Sequence, residues 1–157
     1  MNVRDATPED GLAACEVMRR SIVELCVADH LNDPVILGRW LSNKTPETFR
    51  SWIRPDNSLL VAVGNGSILA VGCVTNSGEI TLNYVSPDAR FCGVSTAILA
   101  NLEKRALERG NEVCKLASTE TARRFYLARG YSEQGPAAGK FGMTSGYPMS
   151  KRILPLT

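Results

Sequence analysis

The sequence predicts a mixed α/β fold: a mostly antiparallel sheet of about six to seven strands with helices on both faces. Three observations carry this. The runs SLLVAV (Ser58 to Val63), SILAVGCV (Ser67 to Val74) and EITLNYV (Glu79 to Val85) are joined by Gly64-Asn65-Gly66 and Asn76-Ser77-Gly78, so they read as an antiparallel meander. A helical stretch from about Thr96 to Arg109, closed by Gly110, then leads to the apolar run EVCKLAS, Glu112 to Ser118. A strand reached through a helical crossover lies parallel to the one it left, which puts two parallel strands at the middle of the sheet. Third, Cys15, Met18, Ile22, Leu25 and Cys26 recur at steps of three and four, the spacing of one buried helix face.

In chain order, a short strand around Val3 comes first. Thr7 then caps a helix that has Pro8 at its first position and Asp10 at its third, and that runs to about residue 27. Asp33 before Pro34 and Thr45 before Pro46 start two short helices, one through Trp40 and one through Trp52 and Ile53. The meander, crossover helix and parallel strand follow. A shorter helix from about Glu120 to Arg129 is capped by Ser118 or Thr119 and stopped by Gly130, and YPMSKRIL (Tyr147 to Leu154) is a last strand. Its exposed edge is a plausible surface for a homodimer. Gly135 to Gly146 is glycine-rich, and no element is assigned to it.

At 157 residues the chain has the size of one domain, residues 1–157, with enough length for a single core. Hydrophobic residues at 44% and charged residues at 22% are ordinary values for a folded, soluble protein. A net charge of +2 is too small for a sequence-independent grip on nucleic acid or an anionic membrane. With neither an export signal nor a long apolar run, the cytoplasm is the expected location. The cysteines Cys15, Cys26, Cys73, Cys92 and Cys114 show neither CxxC nor metal-ligand spacing, so free thiols are expected and no metal centre. Cys92 alone stands in a turn.

That turn, Arg90-Phe91-Cys92-Gly93-Val94-Ser95, lies between the strand ending at Val85 and the crossover helix. The first N–H groups of a helix have no intrahelical partner and, with the helix dipole, form a site for an anion such as a diphosphate. Gly93 allows close backbone approach and Arg90 adds a charge-assisted contact. An ordinary loop capped by Ser95 is the alternative.

The order of elements, the R-x-x-G-x-S turn at Arg90 to Ser95 and the segment TARRFYLARGY (Thr121 to Tyr131) together resemble the GCN5-related N-acetyltransferase (GNAT) family over almost the whole chain. The resemblance implies the GNAT acyl-coenzyme A fold. It also implies that the turn, Arg90, Phe91, Cys92, Gly93, Val94 and Ser95, holds the pyrophosphate of acetyl-coenzyme A through its backbone. Ser95 stands where the family usually has glycine or alanine, and Thr119, a further cofactor contact, where an asparagine often precedes the A-x-x-F-Y helix. At Tyr84 and Val85 the resemblance implies a strand that splays from its parallel neighbour and bonds the pantetheine arm and thioester carbonyl. A backbone N–H there is suited to a developing oxyanion.

Tyr126 matches the tyrosine that protonates the leaving thiolate in many members; its other reading is aromatic core with Phe125 and Tyr131. The acceptor amine needs a base. Glu79, on the strand feeding the site, is one candidate, and a solvated residue beside the Ser77-Gly78 turn is its alternative. His30 lies with Asp29 and Asp33 in a loop that the resemblance places on the acceptor side, as a substrate contact or as a structural residue. Arg123, Arg124, Arg129, Lys104, Arg105 and Arg109 crowd the helices beside the implied cofactor, as 3′-phosphate partners or a solvated face. The expected reaction is direct acetyl transfer to a small-molecule or peptide amine. The other reading is a non-catalytic acyl-coenzyme A sensor.

Overall fold

The structure, a computed structural model, describes residues 1–139, 141–143 and 146–154. Among them run seven strands, β1 (Asn2–Asp5), β2 (Asn57–Gly64), β3 (Ser67–Thr75), β4 (Ile80–Val85), β5 (Val113–Ser118), β6 (Ser132–Glu133) and β7 (Tyr147–Arg152). The helices are α1 (Gly11–Arg20), α2 (Val27–His30), α3 (Pro34–Leu41), α4 (Pro46–Ser51), α5 (Val94–Glu108) and α6 (Arg123–Ala128). None is long and apolar enough to cross a membrane. This is the mixed α/β fold that the sequence predicts.

The sheet is divided. β1-β2-β3-β4 form an antiparallel half and β5-β7-β6 a second one. Between β4 and β5 there is one parallel bridge, Glu79 to Lys115, with the Lys115 N–H donating to the Gly78 carbonyl at 3.0 Å. Thr81 is an extra residue in the β4 register, since Leu82 pairs with Cys73 and Ile80 with Val74. Such a bulge bends its strand, and here it lies where β4 leaves its neighbour.

The last strand departs from expectation. β7 is the centre of its half, paired along β5 from Tyr147 to Arg152 and with β6 on its other side, so it is not the free edge. Two-residue β6 has too little alternation to stand out in the sequence.

The first helix is also more complex than its spacing suggests. Pro8–Asp10 is a 3-10 turn, α1 follows, and Ser21–Leu25 continues it as a π-helix. The Thr7 N–H donates to Asp10 Oδ2 at 2.8 Å, and Arg4 grips the same carboxylate with two bonds of 2.9 Å. The predicted caps of α3 and α4 form: Asp33 accepts from the Val35 N–H at 2.8 Å and Thr45 from the Thr48 N–H at 3.2 Å.

One face of the first half-sheet packs α1 and α4, burying Ala14, Cys15, Met18 and Phe49 against Val61, Val71 and Cys73. The other face packs α5 through Ile98, Leu99 and Leu102. At Gly72 of β3 an added Cβ would come within 2.9 Å of Leu102 Cδ1, so glycine permits the close seating of α5. That seating fixes the N-terminus of α5 beside the end of β4.

Candidate active site

Where β4 and β5 part, a cleft of about 500 Å³ opens, lined by the residues of β4, Leu116 and Ala117 of β5, the turn before α5 and one side of α6. A second cleft of about 380 Å³ lies beyond the parting strands and shares Ile80, Thr81, Leu82, Tyr84, Ala117 and Thr119 with the first. The two meet across the gap.

The backbone of β4 supplies donors there. The Ser86 N–H bonds the Leu69 carbonyl at 2.7 Å. Peptide groups alternate in direction along an antiparallel strand, so those of Asn83 and Val85 turn away from β3 and towards the gap. The peptide of Tyr84 belongs to the β3 ladder, where Tyr84 pairs with Val71. The Tyr84 side chain reaches the other way, its hydroxyl accepting from Trp40 Nε1 at 3.0 Å; burial raises its pKa.

The turn before α5 is built from two left-handed residues, Phe91 (φ 63°) and Gly93 (φ 78°). A Cβ on Gly93 would meet nothing within 4 Å, so the space it faces is free for a ligand. The Ala97 N–H is already bonded to the Gly93 carbonyl at 3.1 Å, which leaves the N–H groups of Val94, Ser95 and Thr96 as the helix's open donors. Arg90 is exposed with its guanidinium 4.5 Å from the Phe91 ring centroid, and Cys92 is the exposed one of five free cysteines. Arg129 of the α6 end donates to Thr96 Oγ1 at 3.0 Å, adding a cation at the mouth of the cleft. Asp88, two residues before Arg90, is held by Arg20 of α1 at 2.8 Å, and that guanidinium keeps its carboxyl below the usual range.

Tyr126 is buried in the first cleft, edge-on to Phe125 and Tyr131. Its oxygen accepts from Asn83 Nδ2 at 2.9 Å, so its own hydrogen is not used in that bond. Burial pushes its pKa up to about 12, against the Asn83 bond, which lowers it. The phenol therefore keeps its proton at neutral pH.

Glu79 lines the second cleft at the foot of the splay and is exposed; Thr119 lines both clefts while its hydroxyl accepts from the Ala122 N–H at 3.1 Å. His30 is elsewhere. It is fully buried, with Nε2 on the Ile22 carbonyl and Nδ1 accepting from the Asn32 N–H, both at 2.9 Å. It lines neither cleft, and both ring nitrogens are engaged within its own loop. The position therefore offers a structural histidine, where a substrate contact was the expectation.

Two residues matter that spacing and motif do not single out. Asn83 is a polar residue inside a strand, where Asn is disfavoured, and that is a weak signal. Asp29 is buried, and its carboxylate accepts from the Glu120 N–H (2.7 Å), the Thr121 N–H (3.2 Å) and Thr121 Oγ1 (2.6 Å). It clamps the turn that leads into α6, which begins three residues later than its caps predict.

The model of the acetyltransferase (GNAT) domain matches residues 28–153. The chain belongs to the GNAT family. Among solved structures, it is similar to a GCN5-related N-acetyltransferase from Rhodopseudomonas palustris, with 21% identity over 96% of this chain and 94% of that one, TM-score 0.85. It is likewise similar to the PaiA N-acetyltransferase from Thermoplasma acidophilum in complex with coenzyme A, with 18% identity over 96% and 98% of the two chains and a TM-score of 0.83. An aminoglycoside 6′-N-acetyltransferase from Enterococcus faecium has 16% identity over 100% and 99%, TM-score 0.74. No curated protein matches the chain.

Proposed function

We propose that this GNAT protein moves an acetyl group from acetyl-coenzyme A to a primary amine, which attacks the thioester directly. The observation that carries the reading is the gap between β4 and β5. Into it turn the peptide groups of Asn83 and Val85, beside a buried, protonated Tyr126 whose oxygen is fixed by the Asn83 side chain.

The residues present fit the co-substrate. The open N–H groups of Val94, Ser95 and Thr96, the free space at Gly93 and the cations Arg90 and Arg129 suit a diphosphate. Phe91 and Cys92 complete the turn, and Thr119 borders the same cleft. Acetyl-coenzyme A, when bound, supplies an activated acyl group and a thiolate leaving group. Of the two β4 positions expected to bond it through the backbone, alternation favours Val85 over Tyr84 and adds Asn83. An N–H of Asn83 or Val85 donates to a carbonyl oxygen as it gains charge. Tyr126 gives its proton to the departing sulfur, and Asn83, which stabilises the phenolate, eases that transfer. Glu79, alone or through a water, takes the proton of the amine from the second cleft.

The test is thiol release from acetyl-coenzyme A against an amine panel, with calorimetric binding of coenzyme A to the protein and to Gly93→Asp. Binding that the variant loses, with amine-dependent thiol release, supports the transferase. Binding without release for any amine supports the sensor. Absence of binding removes both.

A further inference from the structure

The charge of the second cleft narrows the acceptor. Its described charged lining residues are Lys44, Arg54 and Glu79, two cations and one carboxylate. Lys44 is drawn inside: the residue is 4% exposed, its Nζ donates to Asn43 Oδ1 at 2.7 Å, and it stands 5.9 Å from the Tyr84 ring centroid. Arg54 is at the rim with a half-exposed side chain, its Nε 3.2 Å from Asp56. The walls between these charges are aromatic, Trp40, Trp52 and Tyr84 among them.

Withdrawing an ammonium from water is costly, and its field inside a cleft is less screened than at the surface. A polycation entering this cleft meets two like charges and a single carboxylate. An amine that also carries an anion meets complementary charge at both ends, with Glu79 for the amine and Lys44, then Arg54, for the anion.

We propose that the acceptor is a small amine bearing an anionic group, a carboxylate or a phosphate, on an apolar body. This rests on the transferase reading, which it deepens by naming the substrate class. Polyamines and aminoglycosides are poor acceptors on this account.

The experiment compares three series with the full chain. Dipeptides and aminoalkyl carboxylates are set against their amides, aminoalkyl phosphates against the corresponding alcohols, and spermidine and kanamycin stand as polycations. kcat/KM is read by thiol release, and affinity for the coenzyme A-loaded protein by calorimetry. At least one anionic series is expected to exceed its neutral counterpart by about tenfold or more in both readouts, the scale of one charge-assisted contact. That ratio should shrink towards one in Lys44→Met and in Arg54→Gln, the second being a rim substitution that leaves the core intact. The arm with the larger ratio identifies carboxylate or phosphate. Polycations equal to or better than the anionic amines, or ratios near one in the unmodified protein, overturn the proposal. So does a ratio untouched by either variant. If no amine supports thiol release, the transferase reading fails by itself, and the calorimetric ratio still decides whether the cleft selects anions.

Discussion

Replacing Asp29 by alanine tests the clamp between the first helical segment and α6. The carboxylate is buried and accepts three hydrogen bonds, from the Glu120 N–H, the Thr121 N–H and Thr121 Oγ1. Hydrogen bonds to a charged partner contribute roughly 1.5 to 3 kcal/mol each, and donors left buried without a partner add a penalty. The three share one acceptor group, and Glu120 is exposed, so the bonds do not sum and water reaches part of the site. About 2 to 4 kcal/mol is the resulting loss. For a chain of this length that is a fall in Tm of roughly 5 to 15 °C. Urea unfolding followed by circular dichroism measures the loss, and thiol-release kinetics read the consequence for Tyr126, which α6 carries. Asp29→Asn keeps an acceptor oxygen without the charge and should recover part of the stability. A loss below about 1 kcal/mol in Asp29→Ala, or an asparagine variant no better than alanine, refutes the clamp.

Tyr126→Phe should lower kcat by about 10² to 10⁴ with coenzyme A affinity unchanged, as expected of a general acid, and a variant with near-normal turnover removes Tyr126 from the chemistry. The raised pKa of Tyr126, about 12, defers its deprotonation, so kcat should hold through the region near pH 10 where an ordinary tyrosine ionises; a Tyr126-dependent decline there contradicts the burial argument. Gly93→Ala forces a side chain into a left-handed conformation (φ 78°) without a clash, so it should cost only about 1 kcal/mol of stability while weakening coenzyme A by more than tenfold; calorimetry and urea melts separate the two. Cys92, the exposed thiol, should be the first alkylated by iodoacetamide under native conditions, as peptide mass mapping would show, and coenzyme A should slow the reaction.

Much of this molecule is legible in the sequence because its signals are local. The caps at Asp33 and Thr45, the meander turns and the glycine that closes α5 each depend on a few adjacent residues, and all of these elements form close to their expected limits. What spacing cannot give are relations between distant segments. Asp29 and Thr121 meet across ninety-two positions, and Asn83 and Tyr126 across forty-three. The pairing of β7 between β5 and β6 is equally non-local, which is why the last strand reads as an edge. His30 shows the converse: a polar residue in a loop reads as available to a ligand until its two ring bonds are seen.

The π-helical segment Ser21–Leu25 turns these relations into a constraint on chain length. A π turn accommodates one residue more than an α turn in about the same rise. Deleting a single residue between Ser21 and Leu25 would let the helix run on regularly, rotating everything after it by about 100°. Leu25 and Cys26 would leave the wall of the first cleft, and Asp29 would swing off the start of α6. A conservative substitution in this segment should therefore be tolerated far better than a one-residue deletion, since here it is the count of residues, more than their identity, that keeps the loop in phase with the active site.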